Sequence, residues 1–96
     1  MSPLKRKKLY LIRKKLDKLD NSLINIIKRR TSLVKEVLKI KEYKNEIVDK
    51  KRISKILKNI KNKSIQNKID PKITKRIWYN MIYAYINFEK RNFKKK

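Results

Sequence analysis

Residues 9–43 read LYLIRKKLDKLDNSLINIIKRRTSLVKEVLKIKEY, and this stretch decides the architecture. From Leu4 to Tyr43 there is neither Pro nor Gly to interrupt a helix. Leu9, Ile12, Leu16, Leu19, Leu23, Ile26 and Ile27 recur at steps of mostly three and four, and Leu33, Val37 and Ile40 continue the stripe. The reading is one helix of up to 40 residues, which at 1.5 Å per residue would span roughly 60 Å. That is about twice the width of a small domain, so a single chain of 96 residues cannot cover its apolar stripe. The stripe must meet another chain or fray, and an intertwined homodimer of helical chains is the economical solution.

Outward from this helix, residues 42–48 read as a polar connector. Asp49 is a capping residue for a second helix, whose inner face is Ile53, Ile56, Leu57 and Ile60. Ser64 to Ile69 reads as a second break. Asp70-Pro71 then places a capping side chain before a Pro at the first helical position. The third helix is expected to reach about Phe93, with Ile73, Ile77, Met81, Ile82, Tyr85 and Phe88 inside. No strand-like alternation and no internal repeat is visible. The expectation is an all-α fold of three helices, the first very long. It forms one domain over residues 1–96, with basic ends at 1–8 and 91–96 that fray. Trp78 and the tyrosines around it read as packing groups.

Composition removes several kinds of chemistry. There is no Cys, hence no disulfide, thiolate nucleophile or Cys-based metal site. There is no His, the usual general base and the commonest metal ligand. Nor is there a Gly from which to build a phosphate-cradling loop. The expectation is a protein without cofactor or metal. With 40% apolar residues the chain is not a disordered basic tail. No apolar run approaches the ~20 residues that cross a bilayer, and the basic N-terminus lacks the apolar stretch of a secretory signal. No membrane partner is expected, and the cytoplasm is the expected location.

Lys plus Arg number 31 against 8 acids, a net charge of +23. Lys, Ile and Asn together fill half the chain, as expected from A/T-rich codons. The charge is spread rather than gathered, so solvated helix faces account for most of it. A nucleic-acid partner is not the favoured reading, although such charge attracts phosphate whatever the sequence. Against this lysine background the seven arginines are the informative cations, because their planar forks bind carboxylates bidentately. Arg30 and Lys41 lie eleven residues apart, which on a helix brings them to within about 20° of one face. Long side chains there could converge on a small anion. Arg13 precedes Arg30 by seventeen residues, about 25 Å along the axis. It either stands at the surface or completes the site of a partner molecule. Asp49 and Arg52, three apart, share a face of the second helix.

Ile12-Arg13-Lys14-Lys15-Leu16-Asp17-Lys18-Leu19-Asp20, followed by Leu23, Arg30, Leu33, Val37 and Lys41, resembles the first helix of the all-α chorismate mutases. Asp49-Lys50-Lys51-Arg52 is similar to that family's Asp-x-x-Arg at the start of its second helix, and Ile69-Asp70-Pro71 opens a third helix as in the family. The resemblance covers roughly residues 9–90. It implies an interlaced homodimer with two active sites, each taking one arginine from the partner's long helix, and a dicarboxylate substrate, chorismate, rearranged to prephenate in aromatic amino-acid biosynthesis. It further implies that Arg13 is the donated arginine and that Arg30 and Arg52 hold the two carboxylates. Lys41 would bond the ether oxygen, and Asp49 a hydroxyl or the neighbouring backbone. Tyr85 falls where many relatives have a small polar residue, and Glu89 where bacterial relatives often have Gln. A carboxyl at Glu89 donates to the ether oxygen only when protonated, so activity is expected to fall as pH rises. Ile53, where mutases often carry Glu, and Tyr85 also resemble the related isochorismate-pyruvate lyases. A basic helical nucleic-acid binder without catalysis is the reading from a different class.

Overall fold

A computed structural model describes residues 1–94. They form three α-helices and no strand: α1 (Pro3–Ile40), α2 (Lys50–Gln66) and α3 (Pro71–Asn92). A single 3₁₀ turn, Lys44–Glu46, lies between α1 and α2. The all-α, three-helix expectation is met, and the first helix runs for 38 residues. It ends at Ile40, short of the expected Tyr43. Pro3 does not interrupt it, because Pro at the first helical position lacks only an N–H that would have no helical partner. Ser2 caps the turn, its Oγ accepting from the Lys5 N–H at 3.2 Å. Residues 3–8 are therefore helical. Of the expected basic tail, 91–96, residues 95 and 96 lie outside the described residues, and Arg91 and Asn92 complete α3.

The chain divides into two compact units, residues 1–33 and 34–96. The first is almost entirely a segment of α1, and α1 has no buried residue. Its apolar stripe is open to solvent: Ile12 is 54% exposed, Leu19 65% and Leu23 52%. Helices draw most of their stability from packing an apolar face, and this segment packs none within itself.

The second unit holds the core, where α2 lies against α3. Ile47, Ile82 and Ile86 are buried, with Val48, Ile53, Ile56, Leu57 and Phe93 packed around them. Two residues expected inside are not: Ile73 and Ile77 are 55% and 53% exposed. The buried strip of α3 instead runs through Thr74, Ile82, Ile86 and Glu89. Ile73 and Ile77 fall more than a quarter-turn from the centre line of that strip, because each residue advances by about 100°. The connector is also less polar than its composition suggests. The Glu46 carboxylate accepts from the backbone N–H groups of Glu42 (2.9 Å) and Tyr43 (3.3 Å). This folds the connector into one tight turn, immediately followed by Ile47, which is almost fully buried.

Capping follows the sequence signals. Asp49 Oδ1 accepts from the Arg52 N–H at 3.0 Å, and Asp70 Oδ1 from the Lys72 N–H at 2.9 Å. α2 runs two residues past Ser64, because the Ser64 hydroxyl does not break it. That hydroxyl donates to the Ile60 carbonyl and shares a 2.6 Å hydrogen bond with Thr74 Oγ1, pinning α2 to α3 at a buried point. The helix then closes with Ile69 N–H donating to Ser64 O and Lys68 N–H to Ile65 O, the pairing of a Schellman end. Lys68 takes the left-handed conformation there, with φ +57°. A residue with a Cβ is disfavoured there by about 1–2 kcal/mol, partly offset by the entropy that Gly adds to the unfolded chain. Lys68→Gly should therefore stabilise the protein by roughly 0.5–1 kcal/mol. Urea denaturation checks this: a higher midpoint at unchanged slope is expected, and a lower midpoint contradicts the geometry.

Candidate active site

Within the second unit two of the expected site residues, Lys41 and Glu89, meet in an ion pair. Lys41 follows the last residue of α1, and its backbone N–H still reaches the Val37 carbonyl at 3.3 Å. The position of its side chain is thus set by the helix end and the turn after it, rather than by a full helical turn on both sides. Its Nζ donates to Glu89 Oε1 at 3.1 Å, with the two side chains 18% and 8% exposed. Taking a carboxylate this far out of water is costly unless it is paired, and the Lys41 ammonium supplies the pairing. An ammonium has three N–H donors; Glu89 takes one. Tyr85, half-buried, lies one turn before Glu89 on the same face of α3.

The start of α2 is the second element. Lys50, Lys51 and Arg52 fill its first turn, and no acid accompanies them. Cations at a helix N-terminus work against the macrodipole, which already makes that end positive. A local surplus of positive potential results, suited to an anion. The Asp49 carboxylate is engaged with the Arg52 backbone N–H. Among the described residues no ion pair joins the two side chains, and the Arg52 residue is exposed. The expected cap is present.

Arg13 and Arg30 belong to the first unit. Arg13 is exposed. Arg30 is half-buried, and its Nε is buried with no acceptor among the described residues. A buried N–H without a partner is destabilising by about 1–3 kcal/mol, which an incoming carboxylate would relieve. Lys41 and Glu89 are thus joined directly, Asp49 and Arg52 through the backbone, and Tyr85 lies beside Glu89 along α3. Among the described residues no group of three or more His, Cys, Asp or Glu could hold a metal. Among the described residues no helix is long and apolar enough to cross a membrane.

The Lys41–Glu89 bond was not foreseen. The partners are 48 residues apart in sequence. One signal could have found it: Glu89 is the single acid of α3, set among its apolar residues. An acid at such a position calls for a buried cation.

The model of one protein family, chorismate mutase type II, matches residues 12–90 of this chain. No curated protein and no solved structure matches it significantly.

Proposed function

The chain belongs to the chorismate mutase type II family, and from that premise we propose that it converts chorismate to prephenate as an intertwined homodimer in the cytoplasm, residues 1–96 forming one catalytic module. The family places its chemistry in aromatic amino-acid biosynthesis and implies an isomerase acting on chorismate.

The rearrangement is one pericyclic step. The bond between the ether oxygen and the ring breaks while a carbon–carbon bond forms, with no nucleophile, proton transfer or cofactor required. What the protein supplies is geometry and electrostatics. The flexible dicarboxylate has to be held in its reactive chair-like shape, and the charge growing on the ether oxygen has to be stabilised; each can contribute several kcal/mol. In this reading Arg30 and Arg52 grip the two carboxylates, and Arg13 reaches in from the other protomer. Lys41 donates to the ether oxygen. Asp49 orients a hydroxyl or the backbone at the start of α2, and Tyr85 shapes the wall beside Glu89.

The observation that carries the reading is the pairing of Lys41 with Glu89. A half-buried ammonium is fixed by a buried carboxylate and keeps two donors for a ligand. The open stripe of α1 supports the dimer, since a second copy offers the same stripe and covers both. Glu89 holds Lys41 in place.

The test of function is loss of chorismate absorbance with identification of the product. Prephenate is expected. Ile53 and Tyr85 favour a second reading, an isochorismate-pyruvate lyase on the same fold, and Ile53 indeed packs against the core rather than presenting a polar group. Pyruvate released from isochorismate, with no prephenate formed from chorismate, would establish that reading instead.

A further inference from the structure

Away from these residues, α2 and α3 flank an open cleft of about 430 Å³. Its walls are Lys58 and Lys61 on α2 and Lys72 and Lys75 on α3, and Leu57 and Pro71 are its apolar lining. On each helix the two lysines are three residues apart and so share a face. No acid lines the cleft. The nearest acid in sequence, Asp70, has its carboxylate engaged with the Lys72 backbone N–H at 2.9 Å. Among the described residues none of the four ammonium groups has a carboxylate partner.

Four like charges around one concavity repel one another, and a cleft with low-dielectric walls focuses their potential onto whatever enters it. The arrangement fits an anion with several charges at short spacing. One carboxylate would leave most of the ammonium groups unmatched. A chain of two or three phosphates would not. The volume lies in the range of about 300–1,000 Å³ typical of small-ligand sites, so a compact ligand fits better than an extended nucleic-acid backbone. Leu57 and Pro71 offer an apolar surface to a non-phosphate portion of the ligand.

We propose that the α2–α3 cleft is a binding site for a small oligophosphate anion, separate from the residues assigned to chorismate. The chemistry is shared by a free inorganic oligophosphate and a nucleoside triphosphate. The apolar lining distinguishes them, since only the second has a base to place against Leu57 and Pro71.

The experiment is calorimetric titration of the full-length protein with inorganic tripolyphosphate, with ATP and with a short DNA duplex at physiological salt. It is repeated on a quadruple variant, Lys58→Gln, Lys61→Gln, Lys72→Gln and Lys75→Gln. A second variant carries the same number of changes elsewhere: Lys5→Gln, Lys7→Gln, Lys8→Gln and Lys44→Gln. Saturable one-site binding of tripolyphosphate or ATP is expected. The cleft variant should lose at least about tenfold in affinity and the distal variant less than about twofold, since distant charges are screened. Tighter binding of ATP than of tripolyphosphate identifies a nucleotide site; equal binding identifies an oligophosphate site. Helical circular dichroism and chorismate turnover of the cleft variant should match the parent. A double variant, Lys61→Gln with Lys72→Gln, gives the same readout if the quadruple variant does not fold. Equal losses in the cleft and distal variants, no binding at physiological salt, or binding of the duplex alone would overturn the proposal.

Discussion

Replacing Arg30 by alanine is expected to lower kcat/KM for chorismate by about a thousandfold, close to 4 kcal/mol of transition-state stabilisation. Its Nε is buried without an acceptor among the described residues. A group in that condition serves a ligand or is simply destabilising. If it serves a ligand, removing it deletes a bidentate carboxylate contact and frees the substrate to leave its reactive conformation. If it is only destabilising, alanine should raise stability and leave turnover intact. Arg30→Lys separates charge from geometry: a single ammonium cannot reproduce the fork, so most of the loss should persist. Steady-state kinetics beside urea denaturation checks both variants. Full activity in Arg30→Ala would remove this residue from the site.

Lys41→Ala is expected to lower kcat by about a hundred- to a thousandfold, the usual cost of deleting one preorganised donor to a developing oxyanion. The structure also provides a competing explanation, because the same change strands the Glu89 carboxylate and so destabilises the fold. Glu89→Gln decides between them. It dissolves the ion pair while keeping shape and hydrogen bonding, and an amide donates to an ether oxygen at any pH. If Lys41 acts on the substrate, Glu89→Gln retains turnover and Lys41→Ala does not, even where both are folded. If Lys41 is only a structural counter-ion, the double variant Lys41→Ala, Glu89→Gln recovers activity. Its recovery would contradict the catalytic role.

Much of this architecture was legible because it rests on local rules. The absence of Pro and Gly between Leu4 and Tyr43, together with the apolar stripe, yields α1; Asp49 and Asp70-Pro71 yield the starts of α2 and α3. What was illegible depends on rotation and on distant partners. Periodicity establishes that α3 is helical but not which of its apolar residues turn inward: Ile86 is buried, whereas Ile73 and Ile77 face solvent. Ser64 looked like a break because nothing local reveals the Thr74 hydroxyl that satisfies it. Ile47 looked like connector because its burial follows from the Glu46 carboxylate folding the backbone behind it. In the site, arginine stood out against lysine by its chemistry, whereas the Lys41–Glu89 bond closes over a long stretch of chain that no spacing rule spans.

The central claim is that two chains share each site, with Arg13 of one serving the other. Subunit complementation tests it most directly. Arg13→Ala and Lys41→Ala proteins are each prepared as inactive homodimers, mixed in equal amounts, unfolded and refolded together. Half of the dimers should then be mixed, each with one site that has both residues intact, so about a quarter of the parental activity should return. A mixture no more active than its separate components, or an Arg13→Ala protein that is fully active alone, would contradict the claim.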